Sequence, residues 1–216
     1  TEAGDFPYHC NFHTFMTATI TVNGGATPTD TPTDTPTNTA TATATTTPTA
    51  TPCAGTVTAS YAGPAVAVPD NTAAGVNVNL PVSGVGTITD LNFRFDVGGT
   101  CDATVGNTNA AMDHTFIGDL TFKLTAPNGT TTTTFQARRG GTRENICLTN
   151  INNQGSYPNV STLTSVTGQT ESGNFSPETT GSLAVFNGVS GDGTWVLNVS
   201  DNAGVDTGSI RRFSLI

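Results

Sequence analysis

Apolar and polar residues alternate in short bursts along the C-terminal part of this chain. In TDLNFRFDV (89–97), Leu91, Phe93, Phe95 and Val97 alternate with Asp90, Asn92, Arg94 and Asp96. That period of two predicts a strand with one face buried. GVNVNLPV (75–82) alternates the same way through Val76, Val78, Leu80 and Val82. GDLTFKLTAPNG (118–129) sets Leu120, Phe122 and Leu124 on one face, then stops at the turn signal Pro127-Asn128-Gly129. GTWVLNVSDNAG (193–204) does so with Trp195, Leu197 and Val199, and ends in a polar turn. In the final GSIRRFSLI, Ile210 is out of phase with Phe213 and Leu215, which predicts a bulge. No stretch keeps a helical period. Short strands separated by turns predict an all-β, antiparallel β-sandwich or jelly roll over residues 53–216.

The middle of the chain is different. Residues 27–52 read TPTDTPTDTPTNTATATATTTPTATP, with 14 Thr and five Pro among 26 residues and no large apolar side chain. Such a segment buries too little surface to offset its ordering entropy. It predicts a disordered, extended spacer over 25–52, reaching about 80 Å at most. Its hydroxyls are candidates for sugar attachment.

Composition narrows the class further. Charged residues make up 11% of the chain, against about 25% in an ordinary globular protein. Net charge is −9, and all seven basic residues lie beyond residue 52 without forming a stripe. Nucleic-acid binding is therefore not expected. No apolar run approaches the roughly 20 residues of a membrane-spanning helix. The opening TEAGDFPYHC reads as the interior of a domain, so the chain is expected to be a fragment or a processed product. Cys101 and Cys147 share the large C-terminal region and are candidates for a disulfide, as in extracytoplasmic proteins, although sequence leaves the pairing open. Cys53 stands alone at the edge of the spacer.

A search for catalysis finds little. Three histidines are present, and no G-x-S-x-G elbow accompanies them. His114 follows Asp113, but sequence adjacency is not triad geometry, and a structural role is expected for it. Asp119, Asp201 and Asp206 fall near predicted strand ends, where the carboxylates could share a Ca²⁺; the preferred reading is that Asp201 and Asp206 close Asx turns. Arg138, Arg139 and Arg143 form a small basic cluster, read as a solvated loop with the option of an anionic surface. No catalytic residue is assigned, and the chain is not expected to be an enzyme by itself.

Two stretches, HTFIGDLTFKLTAPNGT (114–130) and GDGTWVLNVSDNAGVDTGSIRRFSL (191–215), resemble the signatures of the P domain, or Homo B domain. The resemblance covers most of residues 53–216. It implies a jelly-roll-like sandwich of the kind that follows the catalytic domain in subtilisin-like proprotein convertases and secreted bacterial proteases. The implied role is to stabilise or accompany another domain, or to act at a cell surface, without chemistry of its own.

The N-terminal TEAGDFPYHCNFHTFMTATITVNG resembles the end of a cupredoxin, or blue-copper, domain of the amicyanin and plastocyanin type. There a strand delivers the Cys, a tight loop carries His and Met, and a last strand follows. The resemblance implies Cys10 as thiolate ligand, His13 as imidazole ligand and Met16 as axial thioether, with Phe12 where that loop often holds Pro. Thiolate and imidazole suit both copper oxidation states, and a weak thioether tunes the potential. The second imidazole of that family comes from an upstream strand. His9 cannot replace it, because neighbouring side chains on a strand point to opposite faces.

These readings predict a cupredoxin fragment over 1–24, a spacer over 25–52 and a P domain over 53–216. The expected whole is a secreted or surface protein with a partial copper site, a redox partner protein and a non-catalytic P domain. The alternatives are the non-catalytic end of a secreted subtilisin-like serine endopeptidase, whose catalytic domain lies upstream, and a surface adhesion module.

Overall fold

The structure, a computed structural model, describes residues 4–9, 17–22, 55–154, 156–179 and 182–216. The chain divides into two units, Thr1–Pro48 and Thr49–Ile216. In the first, β1 (Gly4–His9) and β2 (Thr17–Val22) pair antiparallel, from Gly4 opposite Val22 to His9 opposite Thr17. Cys10, His13 and Met16 lie outside the described residues, as do Cys53 and the spacer expected over 25–52.

The second unit runs β3 (Ala59–Tyr61), β4 (Val66–Val68), β5 (Thr72–Val82), β6 (Phe93–Phe95), β7 (Met112–His114), β8 (Leu120–Thr125), β9 (Thr132–Ala137), β10 (Ile146–Ile151), β11 (Glu171–Phe175), β12 (Gly193–Asp201), β13 (Gly208–Ile210) and β14 (Phe213–Leu215). Three short 3-10 turns interrupt it, and no α-helix occurs among the described residues. The larger sheet has the order β3-β14-β6-β10-β7-β13-β4, with β11 added beside β10. The smaller sheet has the order β5-β12-β8-β9. The expected antiparallel sandwich is present, with one departure: β11 pairs parallel with β10.

Alternation positions the core. Across the smaller sheet Trp195 faces Leu80, Leu197 faces Val78 and Leu124, and Val199 faces Val76 and Phe122. From the larger sheet Phe93 comes within 4.8, 4.6 and 5.5 Å, ring centre to ring centre, of Phe95, Phe135 and Phe213. Burial of such rings supplies most of the drive to close a sandwich. The strand expected over 89–97 is shorter, Phe93–Phe95. Beyond it, the Asp96 carboxylate leaves the ladder to accept from Arg94 and Ser214 side chains.

The bulge expected between Ile210 and Phe213 is present. The N–H groups of Arg211 and Arg212 both donate to Ala111 O, at 2.8 and 3.3 Å. Two residues therefore face one, which brings Ile210, Phe213 and Leu215 all inward. A second bulge was not legible in sequence. Phe122 pairs with Gln136 and Lys123 with Thr134, so Phe135 is the extra residue, and Phe135 and Gln136 are both fully buried. Glu178 takes up the backbone groups this bulge frees: its N–H donates to Phe135 O and its carboxylate accepts from Ala137 N–H.

Cys101 and Cys147 are disulfide-bonded, Cα to Cα 5.8 Å, which fastens the 98–109 loop to β10. Asn145 holds the same loop, donating through Nδ2 to Asp102 O and Thr104 O.

Two outcomes are expected. A Cβ on Gly208 would stand 1.7 Å from Asp113 O on β7, so Gly208→Ala forces β13 away from its partner. Its denaturant midpoint falls by the equivalent of about 2 kcal/mol or more; an unchanged midpoint refutes the close approach. Replacing both Cys101 and Cys147 with Ala opens a loop spanning 46 residues and costs roughly 2–4 kcal/mol by the same measurement.

Candidate functional site

The end of the sandwich where β7 and β12 finish carries the polar residues singled out in sequence. The alternation that sends Trp195, Leu197 and Val199 inward continues to Asp201, the last residue of β12. Asp201 is fully buried and must find a partner there. On β7, Met112 and His114 share the inward parity, and His114 is fully buried too. The two meet: His114 Nε2 lies 3.2 Å from Asp201 Oδ2. His114 Nδ1 sits against the Phe116 backbone, 3.1 Å from its N and 3.0 Å from its O, which anchors the imidazole to the 114–116 turn. Asp201 Oδ1 accepts from Ala203 N–H at 3.1 Å, the expected Asx turn. Because β7 belongs to the larger sheet and β12 to the smaller, this bond ties one sheet to the other.

The neighbouring acids differ in their surroundings. Asp206 Oδ1 accepts from Thr115 Oγ1 at 2.6 Å rather than closing an Asx turn of its own. Asp119 is nearly buried, in the 3-10 turn Ile117–Asp119. Burial above all, and then the charges of Asp201 and Asp206, raise its carboxyl above the ordinary value. Its backbone carbonyl accepts the Asn202 N–H at 2.9 Å. Among the described residues no group of three or more His, Cys, Asp or Glu side chains is placed to hold a metal ion.

The arginine cluster differs from the solvated loop expected for it. Arg139 pairs with Glu178. Arg143 donates from Nε to Thr164 O at 2.8 Å and from Nη1 to Thr170 O at 2.9 Å. Arg138 reaches only within 3.9 Å of Asp119 and is over half exposed, so that contact is weak. Each arginine has gone to a separate partner because the Phe135 bulge and the 162–172 segment bring acceptors to the loop.

A second buried polar pair escaped the sequence reading. Glu171 on β11 and Gln136 on β9 are both fully buried, and Gln136 Nε2 donates to Glu171 Oε2 at 2.7 Å. This pair also joins the larger sheet to the smaller. Burial pushes the Glu171 carboxyl up to about 7, against the lowering effects of Gln136 and Arg143. Beside β11 lies an open polar groove of about 580 Å³, whose lining includes Asp102, Arg143, Thr164, Gln169 and Ser172.

Chemically, the His114–Asp201 pair is shut away from substrate, since both side chains have no exposed surface. It fastens the fold. No helix among the described residues is long and apolar enough to cross a membrane.

No curated protein matches the chain. Two solved structures of low similarity are the Aeromonas sobria serine protease in complex with its chaperone (14% identity, TM-score 0.40) and a serine protease of Aeromonas sobria (14%, 0.39). Each match covers 74% of this chain, which spans about a quarter of the protease chains, 25% in both. The pattern of the family described as Proprotein convertase P-domain matches residues 107–216. That match takes in both sequence signatures and β7 to β14, while β3 to β6 complete the two sheets ahead of it. The chain belongs to the proprotein convertase P-domain family.

Proposed function

We propose that residues 53–216 are the non-catalytic companion of a serine endopeptidase domain encoded upstream in a secreted protein, and that they stabilise that domain. The observation that carries this reading is the sealed His114–Asp201 bond within a P-domain fold. The one His–Asp pair among the described residues joins sheets instead of facing solvent. The test compares the complete protein with a version lacking residues 53–216. Peptide hydrolysis that a serine-directed inhibitor abolishes is expected of the complete protein, along with a lower thermal inactivation midpoint after the deletion. An unchanged midpoint, or hydrolysis by residues 1–216 alone, overturns the reading.

A second reading for what lies upstream is favoured by the β1–β2 register. The two strands flanking Cys10, His13 and Met16 are antiparallel partners, as a cupredoxin-type copper loop requires. We propose these three as thiolate, imidazole and thioether donors to copper. The fourth donor, an imidazole, would come from upstream chain, since His114 is committed to Asp201. Adding Cu²⁺ to the complete protein would then produce an intense thiolate-to-copper absorption that Cys10→Ser abolishes. No such band removes copper and the redox partner together.

A further inference from the structure

The two polar pairs that cross between the sheets are not equally satisfied. Every hydrogen-bonding atom of the His114–Asp201 pair has a partner: Nε2 with Oδ2, Nδ1 with the Phe116 backbone, and Oδ1 with Ala203 N–H. In the Glu171–Gln136 pair, one bond is made, while Glu171 Oε1 and Gln136 Oε1 are buried with no hydrogen-bond partner among the described residues. Both bare atoms are acceptors. An ionised carboxylate has no donor to offer, so in that state the pair leaves two buried acceptors unsatisfied, an unfavourable arrangement. A proton on Glu171 turns one of these acceptors into a donor and removes a buried charge.

The surroundings favour that proton. β9 (TTTFQA) brings Gln136 and no charge, β10 (ICLTNI) brings Thr149 and no charge, and β11 carries no other titratable group. Arg143, ahead of β10, is the charged group that acts on Glu171, and it favours the carboxylate less than burial opposes it. Glu178, just past the bulge, is held by Arg139 and the Ala137 N–H.

What the pair holds shut is an edge. β11 hydrogen-bonds to β10 alone, and Ser172, Gly173 and Asn174 are exposed. Alternation turns Glu171 inward while its neighbours Thr170 and Ser172 line the polar groove beside Arg143. We propose that Glu171 is carried as the neutral acid in the closed sandwich and acts as a proton-operated latch, whose ionisation loosens β11 and the 162–172 wall of the groove. The device is independent of what lies upstream.

The folded-state value of about 7 exceeds the ordinary 4.5. A value raised by folding means that the folded form binds the proton more tightly. The stabilisation is complete below about pH 4.5 and is lost as pH rises towards 7. That interval corresponds to at most roughly a 300-fold change in the folding equilibrium.

Chemical denaturation of the wild type and Glu171→Gln from pH 4.5 to 8 tests the idea. The wild type is expected to lose up to about 300-fold in folding constant relative to the variant. Parallel profiles overturn the proposal. Should the variant not fold, ¹³C labelling of the four glutamates (Glu2, Glu144, Glu171 and Glu178) serves in its place. One carboxyl titrating near 7 supports the proposal, and four in the ordinary range overturn it. Hydrogen exchange, corrected for its intrinsic pH dependence, separates a latch from a merely buried acid. Amides of Ser172–Phe175 should lose protection between pH 6 and pH 8; unchanged protection overturns the latch.

Discussion

A buried hydrogen bond between His114 and Asp201 joins the two sheets where β7 and β12 end. Neither side chain has any exposed surface, so each needs the other. Removing one would leave the other as an unpaired polar group in the core, a change costing about 1–3 kcal/mol. The surrounding order follows from this joint. The Phe116 backbone holds the imidazole, and the Ala203 N–H closes the turn after β12. Thr115 and Asp206 then bind the adjoining loops to each other. Gly208 lets β13 press against β7 just where His114 is presented.

The sandwich therefore has two polar rivets through an otherwise apolar interior, at different stations and with different chemistry. The His114–Asp201 pair is fully bonded. The Glu171–Gln136 pair has bare acceptors and depends on a proton. Apolar packing among Phe93, Phe95, Phe135 and Phe213 supplies most of the cohesion but is tolerant of sliding. Directional bonds between facing sheets fix which face meets which. That division of labour suits the supporting role proposed for this module.

Much of this architecture was legible from period-two alternation. Val78, Leu80, Phe93, Phe95, Leu120, Phe122, Leu124, Trp195, Leu197 and Val199 are all buried as the pattern predicts. The bulge before Phe213 was legible because a phase slip shows directly in sequence. The disulfide was one of several pairings sequence allowed, and the folded loop brings those two sulfurs together. Asp201 was read as a turn residue, which is half its role. Extending the parity of Trp195, Leu197 and Val199 by one more step would have put it in the core and demanded a partner. Gln136 was hidden for a different reason. The Phe135 bulge changes the parity of β9, and nothing in TTTFQA marks where the extra residue falls. Glu171 was missed with it, because a parallel edge strand reached across a long connection leaves no local pattern.

The claim that one buried bond couples the two sheets is tested most directly by a double-mutant cycle on His114→Ala and Asp201→Ala, measured by denaturant unfolding. A coupling of at least about 1.5 kcal/mol is expected, because either single change orphans the same buried partner. Additive losses, agreeing within about 0.5 kcal/mol, would show that the two residues act independently and would contradict the account.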